Sequence, residues 1–410
     1  MLDELRPIVV DLLAEDFHER AHTLYDELRE QSPVALVELP EQPGRGFWMV
    51  TGYAAAEAAL RDARLANDPR TLLSPAQRAA RAAAQLPGAP NTMLLSDPPE
   101  HTRLRRIAQR AFTPRSVTAL RPTVVRHAER LLDQADKAAR DGDGTVDLLH
   151  TYAYPLSLAA LGEILGFPEA WHPGLEVLAV RAATASTPLS APDPELRAQL
   201  EGYARDLILL KRDNPADDLV SRLVHPASGD DTLSNSELMA MIGLLMAAGF
   251  ETSASLIASA TASLLTHPAQ WAALRDDPEL AAPTVEETMR YWGPVESATV
   301  RYAVEPFELG GRRIRTGDRV LVFPAAANRD PSHVTDPHRF DIHRNPRPHL
   351  GFSGGIHNCV GAALARTEGR IGLNTLIARW PDLRLATDPT ELRWRPGMGL
   401  RGLRRLPVRP

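Results

Sequence analysis

The sequence predicts a mainly α protein with small β-sheets, folded as a single domain over residues 1–410. Three observations predict it. Apolar residues recur at helical spacing through most of the chain. Strand-like alternation is confined to short runs before residue 52 and after about residue 300. No repeat, low-complexity linker or composition break marks a second domain. Hydrophobic residues make up 44% and charged residues 24%, which supports a large core and excludes disorder as the main theme.

Residues 17–30 and 53–63 carry helical spacing, and between them residues 34–39 and 46–51 read as strands around a Pro/Gly turn. Residues 67–91, with several prolines, read partly as a loop. Asp97-Pro98-Pro99-Glu100 reads as a helix start, with Asp97 as the cap, Pro98 at the first helical position and Glu100 closing an Asp-x-x-Glu box. Residues 117–139 and 148–165 continue as helices, and residues 187–194, holding three prolines, separate two more helical runs. Ser234-Asn235-Ser236-Glu237 is a second capping box; it opens one long apolar helix over 238–266, which Pro268 ends. Residues 307–314 and 319–323 alternate like strands, residues 360–379 form a last helix, and short strands and turns follow.

The long apolar run could span a bilayer by length. Glu251 lies near its middle, however, and a charge at a bilayer centre costs roughly 3 kcal/mol. Its flanks carry no Lys or Arg anchors. It reads as a core helix, and no membrane association is expected. Residues 1–16 lack a basic region followed by an apolar one, so no signal peptide is expected and a cytoplasmic location is. A net charge of −6 argues against a dedicated nucleic-acid binder. Cys359 is the only cysteine, which excludes an intramolecular disulfide and a Cys-rich zinc site.

Cys359 lies in Phe352-Ser353-Gly354-Gly355-Ile356-His357-Asn358-Cys359-Val360-Gly361, a glycine-rich turn directly before a helical run. A lone cysteine is usually a small hydrophobe. Here the positive end of the helix and the turn N–H groups would stabilise a thiolate, and Gly355 and Gly361 would let the backbone pass close to something flat and large. Those are the requirements of a thiolate-ligated haem. A nucleophilic cysteine hydrolase is the rival, but His357, two residues away, is poorly placed as a base.

The spacing Phe-x-x-Gly-x-x-x-Cys-x-Gly resembles the haem-binding signature of the cytochrome P450 family, and further motifs follow in that family's order from about Phe17 onwards. The nearest likeness is to soluble bacterial class I members. The resemblance implies the cytochrome P450 fold, haem b with Cys359 as the axial iron ligand, and a loop in which Phe352 and Gly361 help hold the cofactor. Glu287-Thr288-Met289-Arg290 resembles the family's Glu-x-x-Arg pair, and Arg339 matches the third member of a structural triad; taken alone, the pair would be an ordinary surface ion pair. His101 and Arg105, four apart on one helix face, match haem-propionate contacts, as do Arg301 and His357. Ala248-Gly249-Phe250-Glu251-Thr252 matches the motif over the distal face. There Thr252 would hydrogen-bond dioxygen and its water, and Glu251 would relay protons; a structural ion pair is the plain alternative for Glu251.

The resemblance further implies a monooxygenase that uses O2 and electrons from NAD(P)H through a reductase and a ferredoxin. The substrate would be a lipophilic small molecule, Phe250 bringing to mind members that tailor polyketides such as macrolides. Leu244, Ala248, Val295, Ala298, Thr299, Met398 and Leu400 would contact it, and residues 67–91 and 187–194 would form the lid. Arg103, Arg106 and Arg110, opposite the propionate-facing residues, would dock the acidic ferredoxin. A monomer is expected. The rival functions are a non-catalytic haem sensor or carrier, which has little use for the Glu251–Thr252 pair, and an atypical oxidation such as coupling.

Overall fold

The computed structural model describes residues 6–410 apart from 75, 78–79, 81–91, 185–188, 190–192, 227–230 and 345–347. The expected lid segments, 67–91 and 187–194, therefore lie largely outside the described residues.

The strands are short: β1 (Ile8–Val9), β2 (Val34–Glu38), β3 (Phe47–Val50), β4 (Leu65–Ala66), β5 (Val146–Asp147), β6 (Arg301–Ala303), β7 (Phe307–Leu309), β8 (Arg312–Ile314), β9 (Arg319–Val322), β10 (Arg384–Leu385) and β11 (Pro407–Arg409). They form a six-stranded sheet in the order β1-β2-β3-β9-β6-β4, a three-stranded sheet β10-β11-β5 and the hairpin β7-β8. β3 is buried throughout because its alternating side chains serve two cores. Phe47 and Met49 pack in a cluster with Phe17 and Tyr25, while Trp48 and Val50 join Tyr53, Leu60 and Val320 on the other face.

The helices are α1 (Phe17–Gln31), α2 (Tyr53–Arg61), α3 (Glu100–Gln109), α4 (Pro114–Asp141), α5 (Tyr154–Leu165), α6 (His172–Thr184), α7 (Pro194–Asp213), α8 (Leu219–Val224), α9 (Asn235–Gly249), α10 (Glu251–Leu265), α11 (Pro268–Asp276), α12 (Ala281–Tyr291), α13 (Pro324–Ala327) and α14 (Ala362–Arg379). α10 is the axis of the molecule: it is buried on every side from Ser253 to Leu264 and packs against α5, α12 and α14. An all-round apolar helix belongs at the centre of a core. The run from Asn235 to Leu265 is thus long and apolar enough to cross a membrane, yet most of it is enclosed by protein. Gly372 on α14 lets the two helices close up, since a Cβ there would lie 3.3 Å from Ile257.

Two local readings change. The Ser234 capping box forms as expected, each partner bonding the other's backbone, but the expected single helix is broken at Phe250, whose φ of −115° and ψ of −34° separate α9 from α10. At Gly249 a Cβ would fall 2.8 Å from the Leu161 side chain of α5, the Phe250 ring is fully enclosed, and the Thr252 hydroxyl donates to the Ala248 carbonyl at 3.0 Å. Asp97 does not cap α3. Its two carboxylate oxygens accept from the backbone N–H groups of Asn67 and Asp68 at 3.0 and 2.9 Å, because the Pro98-Pro99 step carries the chain away before the helix begins.

Candidate functional site

Ahead of α14, the loop at 351–361 is pinned from three sides. Cys359 N–H donates to the Phe352 carbonyl at 2.9 Å. The Arg366 guanidinium lies 4.3 Å from the Phe352 ring centroid and is clasped by Glu286 at 2.6 and 2.8 Å. Burial alone would raise the Glu286 carboxyl, but Arg366 and His349 hold it at about 2. From α3, Arg105 grips the Asn358 carbonyl at 2.5 Å and its side-chain oxygen at 2.9 Å. This sets the residue next to Cys359, so Arg105 positions the loop.

Gly355 decides how close the loop runs to α2. Its φ is +67°, and a Cβ there would fall 2.2 Å from the Leu60 carbonyl oxygen. A left-handed non-Gly residue alone costs about 1–3 kcal/mol, and a backbone oxygen cannot swing aside. Gly355→Ala is expected to displace the Cys359 loop and lower haem retention sharply, read as the ratio of Soret to protein absorbance after purification. A normal ratio with normal melting refutes this account of the loop.

The Cys359 side chain is accessible, yet protein surrounds it on most sides, as at the bottom of a cleft. Burial pushes its thiol up, against the Gly361 N–H, Arg105 and Arg366, which favour the thiolate. Around it lie buried polar groups whose hydrogen-bonding capacity is unmet. His101 is 2% exposed and neither ring nitrogen has a partner; its ring centroid is 4.3 Å from that of His357, whose Nε2 is also unpartnered. Arg301, buried, donates to the Ala59 and Leu60 carbonyls at 3.2 Å but leaves its Nε free. Burial and the neighbouring cations His101, Arg301 and Arg105 press the His357 imidazole down to about 3, and burial lowers Arg301 to about 10. Buried donors without acceptors are costly. Their number and charge fit two carboxylates of a bound group, beside a soft anionic ligand at Cys359. Haem propionates and iron meet that description.

The α9–α10 break supplies the other part of the site. Ala248 is exposed within an otherwise well-packed helix, and Thr252 is half-buried. Glu251 is 1% exposed and contacts Arg395 directly, with Ser255 donating to it at 2.9 Å. Burial pushes this carboxyl up, and Arg395 and Ser255 pull against it; with a guanidinium in contact, the pair is the charged one. The structural ion pair, the plain alternative for Glu251, is therefore present, although Oε2 remains without a partner.

A second carboxylate, missed in the sequence, lies on the facing helix. Glu368 of α14 is fully buried, and its influences are the hydroxyls of Ser253 and Ser157. Burial raises it to about 8, the hydroxyls offsetting only part of this. Its register is readable in retrospect, because Leu364, Glu368 and Ile371 share one apolar face. Unfolded, a Glu titrates near about 4.3. Between those two values the folded protein holds the extra proton, so the stability linked to Glu368 is complete below the lower value and is lost as pH rises to about 8. Glu368→Gln is expected to reduce the stability lost between pH 5 and 8 by on the order of 3 kcal/mol, at about 1.4 kcal/mol per pH unit per proton. Urea unfolding at the two pH values checks this; an unchanged difference refutes it.

The Glu287–Arg290 pair is buried, with contacts of 2.8 Å on both sides. Arg339 is not its third side-chain member. Asp341, two residues on, captures the Arg339 guanidinium at the surface, and Arg339 contributes only its carbonyl, which accepts from Arg290 at 3.1 Å. Arg344, 3.3 Å from Glu287, takes the place expected of Arg339.

Among the expected substrate contacts, Val295 bridges to Leu400, so residues 294–299 and the turn at 398–400 lie side by side. Leu244, Ala248, Val295, Ala298, Thr299 and Leu400 all keep some exposure, and the Thr299 hydroxyl accepts from Asn67 at 3.3 Å. Met398 does not belong with them. Its side chain is fully enclosed in the cluster of Phe17, Tyr25 and Phe323, where the gap between α1 and β9 takes it out of contact with solvent. The arginine stripe on α3 is also engaged otherwise: Arg103 pairs with Glu237 and Arg106 with Asp231, carboxylates at and before the α9 cap. The Arg103 pair ties α3 to α9, while Arg106 keeps most of its side chain in solvent.

The sequence profile of the family described as Cytochrome P450 matches residues 205–381. The chain is 42% identical over 406 residues to the cytochrome P450 monooxygenase PikC of Streptomyces venezuelae, covering 98% of this chain and 94% of that one. It is 40% identical over 415 residues to the 6-deoxyerythronolide B hydroxylase of Saccharopolyspora erythraea, covering 98% of each. Among solved structures, a myxobacterial cytochrome P450 in complex with myristic acid superposes with a TM-score of 0.85 at 36% identity, over 97% of this chain and 98% of that chain. A P450 enzyme for C–S bond formation in chuangxinmycin biosynthesis superposes with the same TM-score at 32% identity, over 100% of this chain and 98% of that chain.

Proposed function

The chain belongs to the cytochrome P450 family and is a haem-dependent monooxygenase, and from that premise we propose that it inserts one oxygen atom of O2 into a C–H or C=C bond of a lipophilic secondary metabolite of polyketide or macrolide type. The observation that carries this reading is the set of buried atoms without partners around the only cysteine, namely both ring nitrogens of His101, His357 Nε2 and Arg301 Nε, with Thr252 at the helix break. The relatives support the substrate class through their names, among them a 6-deoxyerythronolide B hydroxylase and a polyketide biosynthesis cytochrome P450.

Haem b, which Cys359 would hold, would supply an iron centre for the reductive activation of dioxygen. The protein's own groups do the rest. His101, Arg105, His357 and Arg301 would hold the propionates. Phe352 and Gly361 shape the loop, and Gly361 N–H steadies the sulfur. Ala248 keeps its small side chain exposed at the helix break, which would leave room for dioxygen. The Thr252 hydroxyl donates to the Ala248 carbonyl, so its oxygen lone pairs are available to accept from a water. Glu368, protonated beside Ser253, is a carboxyl from which a proton can reach that water, and Glu251, charged and tied to Arg395, can accept a proton at its unpartnered Oε2 and pass it on. Leu244, Ala248, Val295, Ala298, Thr299 and Leu400 wall the substrate space. Electrons arrive from NAD(P)H through a reductase and a ferredoxin, and the enzyme works as a cytoplasmic monomer.

Titrating the purified holoenzyme with macrolides, macrolactones and fatty acids tests the substrate class. A low-to-high-spin Soret shift confined to the first two groups, with product one oxygen heavier, is the expected result. A shift and product with fatty acids alone overturns it. The likeness to the C–S bond-forming enzyme favours one second reading, oxidative coupling, which a product lighter by two hydrogens would reveal.

A further inference from the structure

The chain crosses the substrate-facing turn between two buried arginines, Arg395 and Arg401, and each is committed to a carboxylate on a different wall of the site. Arg395 is 4% exposed. It contacts Glu251 and the Tyr154 hydroxyl directly, and Ser255 lies at 3.3 Å, so this end is fastened to the start of α10. Arg401 is 1% exposed and its Nε lies 2.8 Å from Glu296. Its guanidinium also sits over Trp292 at 4.7 Å and Trp394 at 5.5 Å, with His22 Nε2 at 3.0 Å. Glu296 is fully buried within the segment 294–299, and its other oxygen accepts from the Tyr25 hydroxyl of α1.

Backbone bonds complete the frame. Arg395 N–H donates to Gly402 and Arg401 N–H to Pro294, both at 2.8 Å. Glu296 N–H donates to the Gly399 carbonyl at 3.0 Å, and the Ser297 hydroxyl to the Met398 carbonyl at 2.6 Å. The turn thus hangs between two fixed points, with Leu400 opposite Val295. Buried ion pairs are a weak means of adding stability compared with apolar packing, and their best-attested use is to fix register. A carboxylate buried next to the pocket, held by a tyrosine from α1 and an arginine from the turn, suits that use.

We propose that Arg395 and Arg401 form a two-point clamp that sets the position of the turn carrying Leu400 over the substrate space, making Glu296 and Tyr25 specificity-determining positioning residues although neither lines that space. The proposal rests on the reading that residues 294–299 and 398–400 wall the pocket. Shape selection by such a wall acts on large ligands and spares small ones, because only a large ligand reaches the turn. Lys cannot reproduce the fork with which Arg395 serves Glu251, Ser255 and Tyr154 together.

The test measures dissociation constants of imidazole and 4-phenylimidazole for the holoenzyme by their Soret shifts, together with melting temperatures. Leu400→Trp is expected to weaken 4-phenylimidazole while sparing imidazole, which checks the pocket reading separately. Glu296→Gln, Arg401→Met and Arg395→Lys are expected to change the ratio of the two constants about tenfold, the scale of one misplaced apolar contact. Arg401→Lys should restore part of the ratio lost in Arg401→Met, and Tyr25→Phe should shift it about threefold, as loss of one buried hydroxyl bond would. Ratios equal to wild type alongside lowered melting temperatures overturn the clamp and leave a purely structural cluster. A silent Leu400→Trp overturns the pocket reading and the clamp with it. Where Glu296→Gln does not fold, Tyr25→Phe decides, since it keeps both charges and the ring.

Discussion

Cys359→His is expected to abolish the long-wavelength carbonyl Soret band of the reduced protein, the band after which the family is named, while some haem remains bound. The sulfur at Cys359 is the only thiol in the chain. Its surroundings act on the anion: the Gly361 N–H, Arg105 and Arg366 favour the thiolate against the burial that opposes it. A coordinated iron would tip that balance, because a metal holds a thiol deprotonated. An imidazole at the same place is a neutral ligand and cannot donate the same electron density to iron. The loop itself should survive, since Arg105 holds it through Asn358 and Arg366 through Phe352. Monooxygenation should fall below detection. A band at the wild-type position in the variant would mean that another group ligates the iron.

Thr252→Ala is expected to leave ligand binding and reduction intact but to divert most electrons to peroxide, with product per NAD(P)H falling about a hundredfold, the usual cost of losing one well-placed proton-transfer group. The substitution is clean on structural grounds. The Thr252 hydroxyl bonds only the Ala248 carbonyl one turn back, and Ala suits a helix. Glu251 offers no equally clean test. Glu251→Gln would leave Arg395 buried without its counter-charge, and breaking one side of a buried pair commonly costs about 3–5 kcal/mol. Its effect on turnover would mix proton supply with misplacement of the turn at 398–400. Peroxide yield and coupling measured for Thr252→Ala and Glu368→Gln separate the two supplies. Unchanged coupling in Thr252→Ala would show that the protein does not use this hydroxyl, and that a hydroxyl on the substrate acts instead.

The same distinction runs through the comparison of sequence with structure. Strands 34–39 and 46–51, the hairpin at 307–314, the Ser234 capping box and the last helix were legible because each is encoded within a few residues, by alternation, by a turn or by a cap. The Cys359 loop was legible for the same reason: Cys359 N–H bonds the Phe352 carbonyl and Gly361 N–H steadies the sulfur, all inside ten residues. The break at Phe250 was not, since the periodicity of 238–266 is continuous and only the enclosure of the ring and the Thr252 hydroxyl interrupt it. Arg339 was expected to reach Glu287, and its own near neighbour Asp341 intercepted it. Arg103 and Arg106 read as a free stripe until α3 packed beside the α9 cap, with Glu237 and Asp231 in reach.

By itself, then, the sequence determined the helical class, the order of elements and the membership of the family, all of which rest on short-range spacing. Tertiary packing alone decided which carboxylates are charged and what holds the pocket. Glu251 meets Arg395 across 144 residues of chain, Glu296 meets Tyr25 across 271, and Glu368 stays protonated because α10 and α5 close over it. Nothing in the local pattern of an arginine or a glutamate records its partner. The cost of desolvating a charge exists only once the core has formed, and only then does it select the pairs that relieve it.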